Sequence, residues 1–171
     1  MELIYPQYYE KFRCIAGQCP DSCCKEWEVD VDDTTAQFYR SLPGDLGQRL
    51  RSVLRQEDGS WCMTIENGRC PMWRQDGLCR IQAELGHDAL CKTCRDFPRL
   101  CHDYGTFQEL GLELSCPEAA RLVLSASNAP YLLAETPGGD APDYDEESMS
   151  ILLDTRAKAL DILQNPKWSV P

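Results

Sequence analysis

Apolar residues recur at the spacing of an α-helix in several stretches of the chain, which predicts a series of short helices. Acidic or polar residues precede most of these stretches and Pro or Gly follows several of them, as is typical of helix starts and stops. The predicted helices cover residues 32–42, 45–54, 80–85, 117–124 and 148–163. Asp45 is a candidate cap of the second helix, and Gly86 is expected to close the third.

Alternation with a period of two, the signature of a strand, is much rarer. Leu110, Leu112 and Leu114 alternate with Gly111 and Glu113, which predicts one half-buried strand. Residues 61–65 and 69–74 resemble short strands, and residues 75–77 predict a tight turn. Residues 14–31 have no regular period and are expected to be irregular.

Composition divides the chain near its C-terminal end. Residues 135–147 are rich in Pro, Gly, Asp and Glu, which predicts a linker or exposed loop after a cysteine-rich domain over residues 1–134. Residues 148–171 are predicted to form an amphipathic helix that begins a further C-terminal region. The last residues, Trp168-Ser169-Val170-Pro171, resemble the approach to another helix, so the chain is expected to be a fragment of a longer protein.

The charge of the chain limits its partners. A net charge of −11 argues against a nucleic-acid partner, because phosphate binding requires clustered Lys and Arg. Such a surface suits a lysine-bearing protein substrate, although the same charge also keeps a protein in solution. No apolar stretch approaches the roughly 20 residues of a membrane span. The first residues lack a signal peptide, so a reducing cytoplasm is the expected compartment.

Cysteine dominates the candidate chemistry. The chain holds eleven cysteines, of which four form Cys14-x4-Cys19-x3-Cys23-Cys24 and six lie between Cys70 and Cys116. In a reducing compartment this density favours thiolate ligands of a metal over disulfides. Thiolates bind zinc or iron–sulfur clusters, and the chain has only two histidines, so any site is expected to be dominated by sulfur.

The spacing leaves the number of centres open. The neighbours Cys23 and Cys24 can bind one centre or two different ones, and Cys91-x2-Cys94 can present two sulfurs to one ion. Cys91 and Cys101 are second-tier candidate ligands, although Cys101, like Cys62, is interpreted first as an ordinary buried thiol. The predicted architecture is a cysteine-rich metal-binding domain, mainly α, with irregular metal-tied loops and a small β element.

Several segments resemble the cysteine-rich metal-chelating family that contains flagellin lysine-N-methylase. They are the Cys14–Cys24 segment, Gly77-Leu78-Cys79-Arg80-Ile81, Leu90-Cys91-Lys92-Thr93-Cys94-Arg95-Asp96-Phe97-Pro98-Arg99, and the opening residues 5–14. The resemblance implies a 4Fe-4S cluster or zinc, S-adenosylmethionine as methyl donor, and lysines of flagellin as substrate. The thiols that it implies as metal ligands are Cys14, Cys19, Cys23, Cys24, Cys70, Cys79, Cys94 and Cys116.

Two familiar cofactor motifs are missing from the sequence. The radical-methionine pattern C-x3-C-x2-C begins at Cys19 and Cys23 but has Glu26 in place of its third cysteine, and no G-x-G-x-x-G stretch is present. Three hypotheses follow from the whole pattern. The chain is part of a metal-dependent lysine methylase, a structural zinc module that recruits a partner protein, or a thiol redox switch centred on Cys91 and Cys94.

Overall fold

The computed structural model describes residues 1–126, 130–165 and 167. Its strands are β1 (Glu2–Pro6), β2 (Val29–Val31), β3 (Leu54–Glu57), β4 (Ser60–Met63), β5 (Arg99–Asp103), β6 (Phe107–Leu112) and β7 (Tyr131–Glu135). Its α-helices are α1 (Asp33–Ser41), α2 (Gly44–Val53), α3 (Arg80–Leu85), α4 (Lys92–Asp96), α5 (Pro117–Ser125) and α6 (Glu146–Gln164). Short 3-10 helices lie at Tyr9–Lys11, Ala16–Gln18 and His87–Ala89.

The prediction of a mainly α fold is wrong. Helix makes up 41% and strand 23% of the structure, and the strands form two sheets. One sheet has the strand order β5-β6-β1-β7 and the other the order β2-β4-β3. Most of these strands are short and several are largely exposed, so they lack the long apolar alternation by which a strand is recognised in sequence. Their partners also come from distant parts of the chain, as when β1 pairs with β6.

The chain divides into two compact units, and the first contains most residues of the four-stranded sheet. This unit consists of Met1–Tyr5, Cys101–Leu110 and Tyr131–Pro171. β1 runs parallel to β6, with Leu3 opposite Gln108. The ring centroids of Tyr104 and Phe107 lie 4.7 Å apart. Asp145 caps helix α6, because its carboxylate accepts a hydrogen bond from the Ser148 amide, and none of the helix's described residues is buried.

The second unit, Pro6–Leu100 and Gly111–Pro130, holds the main core. The antiparallel sheet β2-β4-β3 and the helix pair α1 and α2 supply most of it, because their apolar residues share one face. Leu50 and Ala36 are fully buried there. At Gly47 a Cβ atom would lie 1.9 Å from the Leu42 carbonyl oxygen, so α2 approaches the end of α1 closely only because this residue is glycine.

Most predicted helices are confirmed because their signals are local. Asp32 caps α1, Gly86 ends α3 with φ of 90°, and Pro117 opens α5. The second helix starts earlier than predicted, so that Asp45 lies in its first turn and not at the cap. Residues 69–74 form no strand, although Arg69 and Trp73 take part in isolated bridges.

Three further expectations concern the ends of elements and of the chain. The strand predicted at residues 110–114 is β6, which begins at Phe107 and ends at Leu112. The irregular region ends earlier than expected, because its last three residues, Val29–Val31, form β2. The start of a further helix at residues 168–171 lies outside the described residues, and the predicted domain boundaries stay predictions. Among the described residues, no helix combines the length and apolarity needed to cross a lipid bilayer.

Candidate metal centre

Six cysteines from separate parts of the second unit line one cavity of about 60 Å³. Cys23 and Cys24 come from the segment before β2, and Cys70 comes from the segment after β4. The remaining three are Cys79, Cys91 and Cys94. Cys79 and Cys91 occupy the cap positions of α3 and α4, and Cys94 lies within α4. The cavity therefore collects thiols from both halves of the cysteine pattern.

Backbone hydrogen bonds hold the Cys23–Cys24 segment against the Cys70 segment. The Cys70 amide donates to the Cys24 carbonyl over 2.7 Å, and the Glu26 amide donates to the Gly68 carbonyl over 3.0 Å. Lys25 and Arg69 form an isolated antiparallel bridge between these two bonds. The vicinal pair is thus fixed beside Cys70, more than forty positions away in sequence, by main-chain contacts that need no metal.

A second set of hydrogen bonds places Cys79 on the same cavity. The Arg80 amide donates to the Met72 carbonyl over 2.7 Å, and Trp73 and Cys79 form an isolated antiparallel bridge. The intervening turn closes through the Gly77 amide and the Arg74 carbonyl, 3.0 Å apart, with Gly77 at φ of 80°. This turn, which the sequence predicted, brings the chain back so that Cys79 approaches the Cys70 segment.

The pKa values of the cavity thiols show how closely the sulfurs crowd. Hydrogen bonding between Cys23 and Cys24 is the largest influence on both thiols. It raises the pKa of Cys23, with burial adding to the rise. It lowers the pKa of Cys24, but hydrogen bonding to Cys70 and burial outweigh it, and the pKa of Cys24 rises to about 12. The same bond between Cys24 and Cys70 lowers the pKa of Cys70.

The pair on α4 behaves in the same way. Hydrogen bonding between Cys91 and Cys94, reinforced by burial, raises the pKa of Cys94, while the same bond lowers the pKa of Cys91. Burial raises the pKa of Cys79, against hydrogen bonds from the amides of Gln82 and Ile81. Within the pair on α4, Cys91 therefore ionises more readily than Cys94, and several thiolates together are favoured only when a cation balances their charge.

The donor set fits a sulfur-bound metal. Thiolates are the ligands of tetrahedral zinc and of iron–sulfur clusters, and the walls of the cavity are otherwise mostly apolar, with the soft thioethers of Met63 and Met72 among them. The Cys70 thiol lies 3.5 Å from the Met63 sulfur. Within residues 1–126, 130–165 and 167, no three cysteine sulfurs lie within 4.8 Å of one another. The structure therefore brings the six thiols to one cavity, but it does not determine which four of them would bind the same ion.

Three other thiols form a separate group in the same unit. Cys116 caps α5, and its pKa is raised by burial and by the nearby Cys19 and Cys14. Cys14 is exposed, and the amide of Ala16 lies 3.4 Å from its sulfur. Of the eight thiols implied by the family resemblance, Cys23, Cys24, Cys70, Cys79 and Cys94 line the cavity, whereas Cys14, Cys19 and Cys116 belong to this second group.

The remaining cysteines differ from one another. Cys62 is buried on β4, as predicted, and does not line the cavity. The interpretation of Cys101 as a buried thiol is wrong, because it lies on the exposed strand β5. Cys91, which the sequence indicates only as a second-tier candidate ligand, is buried and lines the cavity. The six cysteines that line the cavity form no disulfide, so their thiols are available as metal ligands.

Three aromatic residues line the cavity although nothing in the sequence placed them there. The Tyr39 hydroxyl donates to the Ala89 carbonyl over 2.8 Å, and burial together with Cys91 and Cys94 raises its pKa. Tyr39 reaches the cavity from α1, where the sequence indicates only a core position. Trp27 and Phe97 also line the cavity, and their ring centroids lie 6.2 Å apart. The approach of these two rings depends on tertiary packing, so no local sequence pattern could have predicted that both line the cavity.

Comparison with known proteins finds three Salmonella relatives. A lysine-N-methylase of Salmonella typhimurium and one of Salmonella choleraesuis are each 32% identical over 138 residues, which cover 77% of this chain and 34% of theirs. The flagellar biosynthetic protein FliU of Salmonella muenchen is 32% identical over 131 residues, which cover 72% of this chain and 78% of FliU. This chain thus spans about a third of the length of the two lysine-N-methylases. No family model and no solved structure matches it.

Proposed function

Because the chain belongs to the family of the Salmonella lysine-N-methylases and FliU, we propose that it is the cysteine-rich, metal-binding part of a protein-lysine N-methylase that acts on flagellin. Two of the relatives carry the name of the activity, and the third is named for flagellar biosynthesis. The cavity with its six thiols is the observation that most directly supports a metal-dependent methylase.

The metal in this proposal is zinc or a 4Fe-4S cluster, held by thiolates of the cavity. Cys23, Cys24 and Cys70 form one hydrogen-bonded set of donors, and Cys91 and Cys94 form another. When bound, the metal supplies the positive charge that keeps these closely spaced sulfurs ionised. The chain supplies the enclosure, because apolar walls exclude water and strengthen each sulfur–metal contact.

The methyl donor in this proposal is S-adenosylmethionine, and the acceptor is a lysine side chain. A lysine accepts a methyl group only as the neutral amine, so its ammonium form must first lose a proton to solvent. The new carbon–nitrogen bond forms as the carbon–sulfur bond of the sulfonium breaks, and S-adenosylhomocysteine leaves as the neutral thioether. The net charge of −11 favours the approach of lysine-rich protein segments from solution. This attraction is non-specific, and it is expected to weaken as salt is added.

The test is methylation of purified flagellin by the metal-loaded protein with S-adenosylmethionine, read by mass spectrometry of lysine peptides. The matched pair of variants is Cys24→Ser, which alters the cavity, and Cys101→Ser, which removes an exposed thiol elsewhere. The proposal expects methylation with the wild-type protein and Cys101→Ser and its loss with Cys24→Ser. Methylation that persists in Cys24→Ser would exclude a role of the cavity in the reaction.

A structural zinc module is the second candidate. The cavity thiols come from four segments, namely Cys23–Cys24, Cys70, Cys79 and the α4 pair, which a structural ion would fasten together. An anaerobic preparation that is colourless and contains zinc alone favours this role. A brown preparation with iron and acid-labile sulfide favours the iron–sulfur alternative.

A further inference from the structure

The three-stranded sheet of the second unit has one apolar and one polar face. Val29 and Met63 point into the core and lie opposite each other on β2 and β4. Since side chains alternate along a strand, Cys62 belongs to the other face, where it lies between Asp30 on β2 and Arg55 on β3. A cysteine in the middle of a polar face is expected to be exposed.

Cys62 is nevertheless only 7% exposed. Glu28 lies two positions before Asp30 and Glu57 two positions after Arg55, so both belong to the polar face and flank Cys62 diagonally. One carboxylate oxygen from each glutamate and the Cys62 sulfur all lie within 4.8 Å of one another. The two exposed carboxylates therefore cover a buried thiol that points towards them.

In the described part of the chain, no Lys or Arg side chain forms an ion pair with the two glutamates beside Cys62. Arg55 is near enough to lower the pKa of the Cys62 thiol, but burial and the two glutamates raise it more strongly. Two carboxylates at this separation repel each other, and the repulsion is relieved when a cation lies between them.

We propose that Cys62, Glu28 and Glu57 form a second metal site, separate from the cysteine cavity, for a divalent ion of the zinc class. One thiolate and two carboxylates suit a borderline ion such as Zn²⁺ or Co²⁺ better than Ca²⁺ or Mg²⁺, which prefer oxygen ligands alone. Binding forms the sulfur–metal bond and releases the thiol proton to solvent, with no change in oxidation state. Three protein ligands leave a coordination position open to water, and the ion links β3 and β4 to the residue that directly precedes β2.

Equilibrium dialysis of the whole chain against Co²⁺ tests the site without disturbing the cavity thiols. The decisive variant is the double substitution Glu28→Gln with Glu57→Gln, because it keeps all eleven cysteines. Asp58→Asn is its matched control, since Asp58 is an exposed acid next to Glu57 but outside the group. Cys62→Ser removes the thiolate ligand and is read together with the thermal melting curve, which shows whether the buried substitution still folds.

We expect the wild-type protein and Asp58→Asn to bind one Co²⁺ more per chain than the double variant. We also expect the affinity of that ion to fall more than about tenfold in Glu57→Gln, since even outer-shell changes at metal sites cost 10–100-fold. The sulfur-to-cobalt absorption lost in Cys62→Ser should match that one ion. The proposal is overturned if the double variant binds as much Co²⁺ as the wild type, or if Asp58→Asn weakens binding as much as Glu57→Gln.

Discussion

Asp32 joins the starts of two helices with one carboxylate. Its Oδ1 accepts a hydrogen bond from the Thr35 amide over 3.0 Å and so caps α1. Its Oδ2 accepts one from the Lys92 amide, 60 positions later, over 2.9 Å. Because Lys92 directly follows Cys91 and opens α4, this second bond holds the α4 thiols in place next to α1.

The substitution Asp32→Asn should separate the two bonds. An asparagine keeps the carbonyl oxygen that caps α1 but can turn only its NH₂ group towards the Lys92 amide, which is also a donor. We expect Asp32→Asn to lower the free energy of unfolding by about 1–2 kcal/mol, because it removes the charge-assisted hydrogen bond from the Lys92 amide. The loss is smaller than for a buried bond, since solvent partly screens this site. Asp32→Ala also removes the cap and should cost about 1 kcal/mol more.

Urea unfolding of the metal-free protein measures the loss. Asp33→Asn is the control, because Asp33 lies in the first turn of α1 but is exposed. Hydrogen bonds from the Lys92 and Thr35 amides lower the pKa of Asp32 against the cost of burial. The stabilisation is therefore complete above the unfolded-state pKa of about 4 and disappears as the pH falls through the lower folded value. Equal urea midpoints for Asp32→Asn and Asp33→Asn at neutral pH would refute this reasoning.

Three shorter predictions concern the core and the cavity. Leu50→Ala should cost about 2–5 kcal/mol in urea unfolding, whereas Leu152→Ala, at a side chain that is 64% exposed on α6, should cost close to nothing; equal losses would contradict the described core. Gly47→Ala should cost about 1–3 kcal/mol in the same assay, since its Cβ would meet the Leu42 carbonyl, and an unchanged midpoint would rule out that close approach. Zn²⁺ affinity, measured by competition with a chelator, should rise with pH because thiols such as Cys24, whose pKa is raised to about 12, must lose protons on binding; affinity independent of pH would exclude thiolate ligands.

The helices could be predicted because their boundaries are local. Asp32, Gly86 and Pro117 act through the conformation and hydrogen bonding of their own neighbours. The sheets could not be predicted, because β1 acquires its partner β6 about one hundred positions later. Alternating leucines mark the end of β6 in the sequence, but they do not identify its partner strand. The predicted fold class rested on the helices, whose signals can be read in the sequence, and it therefore underestimated the strand content.

The candidate site was predictable in composition but not in arrangement. The sequence indicates that cysteines matter and that Cys23 and Cys24 belong to the same pattern as Cys79 and Cys94. It does not show that the Cys70 amide donates to the Cys24 carbonyl, or that Tyr39 reaches the cavity from α1, because both depend on tertiary packing. The separation of Cys14, Cys19 and Cys116 from the cavity thiols likewise depends on where α5 lies.

The central claim is that the cavity thiols bind a metal, and metal content tests it most directly. The wild-type protein, Cys24→Ser and Cys101→Ser are purified without oxygen, and zinc, iron and acid-labile sulfide are measured per chain. The account predicts that Cys101→Ser keeps the metal content and melting temperature of the wild type, while Cys24→Ser loses metal and melts lower, because the binding energy of such a site is largely folding energy. Equal metal content and equal melting temperature in all three proteins would contradict it.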